Sequence, residues 1–183
     1  MADKLLLHIC CAPCSIYTWH YFQHKGFKIQ GLFFNPNIQP YRELARRKKA
    51  LYSLAASEKK EIIYYDDYPL EEFLSMAMES NTDRCAICYQ WRLKKTAAYA
   101  LENGIPYFST SLLLSPYQKH ELLKKTGEEI SEEFGVNFVY SDLREGFQES
   151  MEKAKKAEIY RQGYCGCIFS EKERYYLSRN GRS

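Results

Sequence analysis

Short apolar runs alternate with amphipathic stretches along the chain, and this alternation predicts strands and helices in turn. Five apolar runs have the length of buried strands and are separated by stretches with helical spacing. The predicted strands are residues 4–9, 28–34, 61–65, a strand within 106–114, and 136–140. The predicted helices are residues 15–25, 41–60, 69–79, 86–102, 118–134, 151–162 and 171–178.

Strands that alternate with helices over short connections favour one α/β domain spanning residues 1–183, with a doubly wound parallel sheet and helices on both faces. The first strand, helix and strand occupy about thirty residues, the size of a βαβ unit. There is no repeat, low-complexity linker or shift in composition to divide the chain. In such a fold, ligands bind beyond the carboxyl ends of the strands.

Composition is that of an ordinary globular protein, with 45% hydrophobic and 27% charged residues. The 26 basic and 23 acidic residues give a net charge of only +3, which does not by itself indicate nucleic-acid binding. No run approaches the roughly 18 apolar residues of a spanning helix. The apolar segment near the start is also too short for a secretory signal. We therefore expect a cytoplasmic protein without membrane association.

The seven cysteines fall into three groups, which excludes a scatter of core thiols. The groups are Cys10, Cys11 and Cys14, then Cys85 and Cys88, then Cys165 and Cys167. An odd number cannot pair completely within one chain, and cytosolic thiols are kept reduced. Metal binding or redox chemistry is therefore favoured over a disulfide framework.

The first group directly follows the first predicted strand, at the usual ligand position of a parallel sheet. Cys14 lies at the opening of the next helix, where the helix dipole favours thiolate over thiol. A nucleotide-binding fold would carry a glycine-rich phosphate loop here, but no such motif occurs in the sequence.

The second group is a C-x-x-C motif at the start of a predicted helix, which suits zinc, an iron–sulfur cluster or a redox dithiol. With Cys10 and Cys11, Cys85 and Cys88 complete four thiolates for one [4Fe–4S] cluster or one zinc ion. Adjacent cysteines are unusual in zinc sites, whose pairs follow C-x₂₋₄-C spacing, so the cluster is favoured.

The third group, Cys165-Gly166-Cys167, has a spacing that allows metal ligation or a strained, easily reduced disulfide. The alternative is a buried pair on either side of a turn glycine. A third close cysteine group would then be a coincidence, which disfavours that alternative.

Polar residues that follow the predicted strands are candidates for contact with a substrate. They are Asn35, Asn37, Tyr41, Ser111, Tyr117, Gln118 and Arg144. Turn formation or helix capping explains several of them equally well. Asp142 and Arg144 are candidates for proton delivery or anion binding, or form a solvated loop pair. His8, in an apolar strand, is more typical of a satisfied core residue than of a ligand.

The densest basic run lies in the second predicted helix: Arg42, Arg46, Arg47, Lys48 and Lys49. A solvated helix face is its default interpretation. If the substrate is a nucleic acid, this helix is where its phosphates are expected to bind.

Five motifs in order, HICCAPCS, FFNPNIQPYRE, RCAICYQWRL, STSLLLSPYQ and GYCGCIFS, resemble those of the epoxyqueuosine reductase family QueH. The resemblance extends from residue 8 to about residue 170. It implies the last step of tRNA queuosine biosynthesis, in which the epoxide on the wobble base is reduced to a cyclopentene. It also implies an adenine-nucleotide α-hydrolase-like Rossmann fold, a tRNA partner and an electron donor that the residues do not identify.

The family's site residues, carried over by motif, give this chain a specific allocation. Cys10, Cys11, Cys85 and Cys88 would hold a [4Fe–4S] cluster, and Cys165 and Cys167 would form a redox-active pair. The family is also associated with a second iron, for which Cys14 with Cys167 or Cys165 are the candidate ligands. The departing oxygen needs a proton donor, and the candidates are Asp142, His8 and Tyr164.

Two other functions fit part of the pattern. One is a cluster-dependent tRNA thiolation enzyme, which needs ATP and is disfavoured because the glycine-rich phosphate loop is missing. The other is a non-enzymatic zinc module in which the cysteines only connect loops.

Overall fold

A five-stranded, fully parallel sheet forms the centre of the protein, as described by a computed structural model covering residues 2–79 and 83–178. The strands, in the sheet order β3-β2-β1-β4-β5, are β1 Lys4–His8, β2 Lys28–Phe33, β3 Ile62–Tyr64, β4 Tyr107–Thr110 and β5 Asn137–Phe138. The order reverses on either side of β1, so the crevice of this doubly wound sheet opens beyond the carboxyl ends of β1 and β4.

Helices flank the sheet in two packed groups. They are α1 Ala12–His24, α2 Tyr41–Glu58, α3 Leu70–Glu79, α4 Arg84–Glu102, α5 His120–Phe134, α6 Phe147–Lys156 and α7 Ile168–Lys172. Helix α1 packs on α2 and α6, whereas α4 packs on α3 and α5. The predicted α/β fold is thereby confirmed. No helix within the described residues has the length and apolar character needed to cross a bilayer.

Strand β1 is the most deeply buried part of the sheet. Leu5, Leu6 and Leu7 are all fully inaccessible to solvent. A central parallel strand is covered on both faces, which is why this segment is continuously apolar rather than alternating. In β2, a Cβ atom on Gly31 would lie 2.9 Å from side-chain atoms of Ile9 and Ile62, so only glycine allows the strand to approach them so closely.

The largest error in the predicted elements concerns residues 151–162. Helix α6 begins at Phe147 and ends at Lys156, six residues before the predicted end. The helix stops because Glu158 adopts a left-handed conformation with φ of 53°. Residues 157–167 are therefore irregular, and the predicted helix 171–178 begins earlier, at Ile168, and continues as a π turn over Glu173–Leu177.

Candidate functional site

The carboxyl end of β1 gathers the first three cysteines into one buried cluster. The Sγ atoms of Cys10, Cys11 and Cys14 all lie within 4.8 Å of one another, and those of Cys10 and Cys11 are 3.7 Å apart. Cys10 and Cys11 occupy the β1–α1 connection, and Cys14 lies in the first turn of α1, after Pro13. Three sulfur atoms at this spacing could hold a soft metal ion.

Cys10 is the best stabilised anion of this cluster. Its hydrogen bonds with the Cys11 and Cys14 side chains, and with Ser111, hold the pKa of Cys10 well below its usual range. Ser111 Oγ lies 3.3 Å from Cys10 Sγ and accepts a 3.0 Å hydrogen bond from the Cys10 backbone N–H. Burial raises the pKa of Cys11, and the bonds with its neighbours raise that of Cys14. The cluster therefore holds negative charge chiefly on Cys10.

The second cysteine group lies in the first turns of α4, where Asp83 caps the helix by accepting a 2.9 Å bond from the Cys85 N–H. Cys88 is buried and accepts a 2.8 Å hydrogen bond at Sγ from Arg92. Burial raises the pKa of Cys88 to about 12, and the Arg92 guanidinium opposes that shift. Burial likewise raises the pKa of Cys85 to about 11.

Among the described residues, the compact three-sulfur cluster contains neither Cys85 nor Cys88. The predicted ligand set of Cys10, Cys11, Cys85 and Cys88 therefore stays a prediction. The cysteine that does join Cys10 and Cys11 is Cys14, whose role the sequence left open.

Hydrogen bonds from helix α2 and from Gln39 fix the backbone of the Cys165-Gly166-Cys167 segment. Arg47 donates to the backbone carbonyls of Tyr164 and Cys165 at 2.9 and 2.8 Å. The backbone N–H of Gln39 donates to the Gly166 carbonyl at 2.9 Å, and the Tyr164 hydroxyl donates to the Gln39 carbonyl. These contacts fix the segment through its main chain and not through its sulfur atoms.

Two side-chain amides reach cysteine sulfur from outside the three groups. Gln118 Nε2 lies 3.3 Å from Cys165 Sγ, and Gln118 Oε1 accepts a 2.8 Å bond from the Tyr89 hydroxyl. Gln162 Nε2 lies 2.9 Å from Cys11 Sγ. No disulfide joins any of the seven cysteines, all of which lie within the described residues.

The predicted substrate residues separate into buried and exposed sets. Asn35 donates to the Ile9 carbonyl at 2.9 Å. Asn37 is buried, but neither polar atom of its amide has a hydrogen-bond partner within the part of the chain that the structure describes. Its Nδ2 lies 3.1 Å from where a Cβ on Gly166 would stand. Tyr41 and Tyr117 are 60% and 79% exposed. Asn37 is therefore an unsatisfied polar group directly beside the C-x-C segment.

The three candidate proton donors differ in protonation. Hydrogen bonding from Arg144 lowers the pKa of Asp142 to about 2, so this exposed carboxylate carries no proton at neutral pH. Burial raises the pKa of Tyr164 to about 12, which keeps its hydroxyl protonated. His8 is fully buried between Thr110 and the Phe34 carbonyl, and burial lowers its pKa to about 4. His8 is therefore a neutral, satisfied core residue.

Sequence reasoning missed two buried arginines that contact the cysteine groups. The sequence predicts that Arg47 lies on a solvated basic helix face, yet this residue is only 1% exposed. Arg92 is also 1% exposed, and the sequence predicts no role for it. A signal existed for Arg92, because it follows Cys88 by four residues and so lies above it on the same helix face.

Comparisons of the sequence with family models and with known proteins agree on a single family. Residues 5–173 match the family model described as "Epoxyqueuosine reductase QueH". A protein of that name from Dehalococcoides mccartyi is 42% identical over 175 residues, with 96% of each chain covered. Another from Thermotoga maritima is 35% identical over 180 residues, covering 93% of this chain and 91% of the relative.

A similar solved structure is the U34-tRNA thiolase NcsA from Methanococcus maripaludis with its [4Fe-4S] cluster. The TM-score is 0.60 at 15% identity, covering 98% of this chain and 66% of the thiolase. At that identity the likeness establishes the shared fold and nothing more. The family match and the identities above go further: this chain is a member of the epoxyqueuosine reductase QueH family, a family of oxidoreductases.

Proposed function

We propose that the protein reduces the epoxide of epoxyqueuosine at the tRNA wobble position to the cyclopentene of queuosine. Both epoxide C–O bonds break, a C=C bond forms, and two electrons and two protons convert the oxygen to water. The observation that carries the proposal is the buried cluster of Cys10, Cys11 and Cys14 beyond β1, in a chain of this family.

The cysteines suit an iron–sulfur centre, because three clustered, buried sulfur atoms at one strand end are a donor set that iron–sulfur chemistry uses. When bound, such a cluster supplies single electrons at low potential. We propose that Cys10, Cys11, Cys85 and Cys88 hold it, and that Cys14 with Cys165 or Cys167 ligates a second iron. Because the sulfur of Cys14 lies beside those of Cys10 and Cys11, Cys14 is a further candidate ligand for the cluster.

Cys165 and Cys167 can supply the electrons and protons that the reaction consumes. Oxidation of this dithiol to a disulfide releases two electrons and two protons, which is the full requirement for one epoxide. Cys165 is exposed and Cys167 is partly exposed, so both an incoming substrate and an external reductant have access to them. That reductant must restore the dithiol after each turnover.

The unsatisfied amide of Asn37 is the substrate contact that we propose beside this dithiol. A buried polar group without a partner is costly, roughly 1–3 kcal/mol. A hydroxyl or the epoxide oxygen of the modified base would satisfy it. Gln118 has a different role, since its amide is already committed to Cys165 and Tyr89.

The exposed face of α2 is the tRNA surface that we propose. Arg42, Arg46 and Lys49 are exposed, and none of them takes part in an ion pair within residues 2–79 and 83–178. Tyr41 and Tyr52 are exposed along an adjoining groove of about 440 Å³. Unpaired cations suit phosphates and exposed rings suit unstacked bases. Arg47, which is buried, does not belong to this surface.

The first experiment is anaerobic purification followed by iron and sulfide analysis, visible spectroscopy and turnover on epoxyqueuosine tRNA. We expect C88S to lose the cluster absorbance and the activity together, whereas C14S keeps the absorbance but holds less iron. Loss of absorbance in C14S, with C88S unaffected, would move the cluster to the three-cysteine set. Normal turnover by iron-free protein would overturn the proposed function, and ATP-dependent sulfur transfer would replace it with thiolation.

The tRNA surface has its own test. R46E is expected to weaken tRNA binding and to reduce the slope of binding against salt concentration. K125E is the matched control, because Lys125 is an exposed lysine on α5, away from the α2 face. Equal effects of the two charge reversals would remove α2 from the interface.

A further inference from the structure

Arg92 is a buried cation that contacts the C-x-x-C group at Cys88. Its side chain is 1% exposed and lies one helical turn after Cys88 on α4. The guanidinium donates to Cys88 Sγ at 2.8 Å, to the Cys88 carbonyl at 3.3 Å and to Asn35 Oδ1 at 3.4 Å. Asn35 is itself fixed to the end of β1 through the Ile9 carbonyl.

The partners of Arg92 include no carboxylate. No ion pair involves Arg92 within the described part of the chain, whereas the other buried arginine, Arg47, pairs with Glu43 at 2.7 Å. A buried cation costs several kcal/mol unless an anion compensates it. Of the atoms that Arg92 contacts, only the sulfur of Cys88 can carry a full negative charge.

The contacts of Arg92 join two parts of the site. Directly, the guanidinium contacts the C-x-x-C helix at Cys88. Through Asn35, which donates to the Ile9 carbonyl, it is connected to the end of β1, where the first cysteine group begins.

We propose that Arg92 is the fixed counter-charge of the sulfur centre, a positioning residue that holds Cys88 in place and raises the reduction potential of a cluster bound there. The inference rests on the proposed function, because it requires the cysteines to hold a redox-active cluster. Reduction adds a negative charge to the centre, and a nearby buried cation stabilises that charge more than it stabilises the oxidised state. Asn35 keeps the guanidinium oriented.

The test compares reduction potentials of cluster-loaded variants by EPR-monitored titration. R92M removes the charge and keeps an apolar side chain of similar length, R92K keeps the charge, and K94M removes an exposed charge from the same helix. At a fixed potential we expect the ratio of reduced to oxidised cluster to be at least tenfold lower in R92M than in the unaltered protein, which is a shift of 59 mV for a one-electron couple. R92K should lie nearer to the unaltered protein, and K94M should match it.

The outcomes separate this inference from the proposed function. An unaltered protein without a cluster refutes the proposed function and this inference with it. A cluster with the same potential in R92M and the unaltered protein overturns the role of Arg92 alone. If R92M assembles no cluster but R92K does, the cation is required and the inference stands. If neither variant assembles one, the guanidinium shape rather than its charge is needed, and the counter-charge role is overturned.

Discussion

Two buried arginines support the two ends of the candidate site in opposite ways. Arg47 has a carboxylate partner in Glu43 and uses its remaining donors on the backbone carbonyls of Tyr164 and Cys165. Arg92 has no carboxylate partner among the described residues and donates directly to the sulfur of Cys88. The two arginines are therefore equally buried, but the groups that compensate their charges differ.

This difference suggests a division of roles. The positive charge of Arg47 is balanced within the polypeptide by the Glu43 carboxylate. The second oxygen of that carboxylate accepts a 2.6 Å hydrogen bond from the Tyr160 hydroxyl. That arrangement is complete without any bound group and defines the shape of the C-x-C segment. Around Arg92 the balance depends on anionic sulfur, so its stability is coupled to the state of the cysteines.

The largest effect is expected at Arg47. R47M leaves the buried Glu43 carboxylate without its cation and the two carbonyls without their donors, which should lower the free energy of unfolding by about 3–5 kcal/mol. Urea denaturation of metal-free protein measures this, and R46M, an exposed neighbour on the same helix, is the control. A loss of stability in R47M no greater than that in R46M would contradict a stabilising role for the contacts of Arg47.

A smaller loss is expected at Arg92 in the same metal-free protein. R92M leaves the Cys88 sulfur and the Asn35 side-chain carbonyl without a donor, but no carboxylate unpaired, so we expect a loss of about 1–2 kcal/mol. Urea denaturation beside R47M provides the comparison. If R92M and R47M lose the same stability, the buried Glu43 carboxylate beside Arg47 does not account for the predicted difference.

Thiol reactivity should distinguish the two ends next. Cys165 is exposed, whereas Cys88 is buried under Arg92, so in metal-free protein Cys165 should be alkylated roughly tenfold faster or more. Mass spectrometry of iodoacetamide-treated peptides measures both rates. R92M should slow labelling of Cys88 further, because the guanidinium no longer favours its thiolate, and should leave labelling of Cys165 unchanged. Equal rates at the two cysteines in the unaltered protein would refute the burial of Cys88.

The smallest effect is expected at Asp142, which neither arginine contacts. Its pKa of about 2 lies below the usual 3.8, so its contribution to stability is present above about pH 4 and disappears as the pH falls towards 2. Because the Asp142–Arg144 pair is exposed, D142N should lose at most about 0.5 kcal/mol at pH 7 and nothing near pH 2. Urea denaturation at both pH values measures this.

Turnover of D142N tests its chemical role separately. An ionised carboxylate has no proton to deliver, so we expect activity within about twofold of the unaltered protein. A tenfold or larger loss with unchanged stability would assign proton delivery to Asp142 after all.

The fold and the first cysteine cluster were accessible from sequence because both depend on local signals. A fully covered β1 requires a continuous apolar run, and a strand end followed by a helix brings Cys10, Cys11 and Cys14 together over five positions. The end of α6 was not accessible, since it depends on a left-handed residue at Glu158 rather than on any glycine.

The arginine contacts were hidden for a different reason. Arg47 lies in a basic run in which Arg42, Arg46 and Lys49 are exposed. Two of its partners are backbone carbonyls 117 and 118 positions further along the chain. Backbone carbonyls carry no side-chain signature, so the pattern of the helix could not reveal them. Arg92 was easier in principle, since its sulfur partner lies four residues away.

The hydrogen bond from Gln162 to Cys11 has a consequence for the timing of assembly. The two residues are 151 positions apart, so Cys11 leaves the ribosome long before the residue that covers it. At about 5–20 residues per second, the first cysteines wait roughly 8–30 seconds for their enclosure. Any cofactor inserted at this stage would enter an open pocket, whereas one inserted later must pass a closed one.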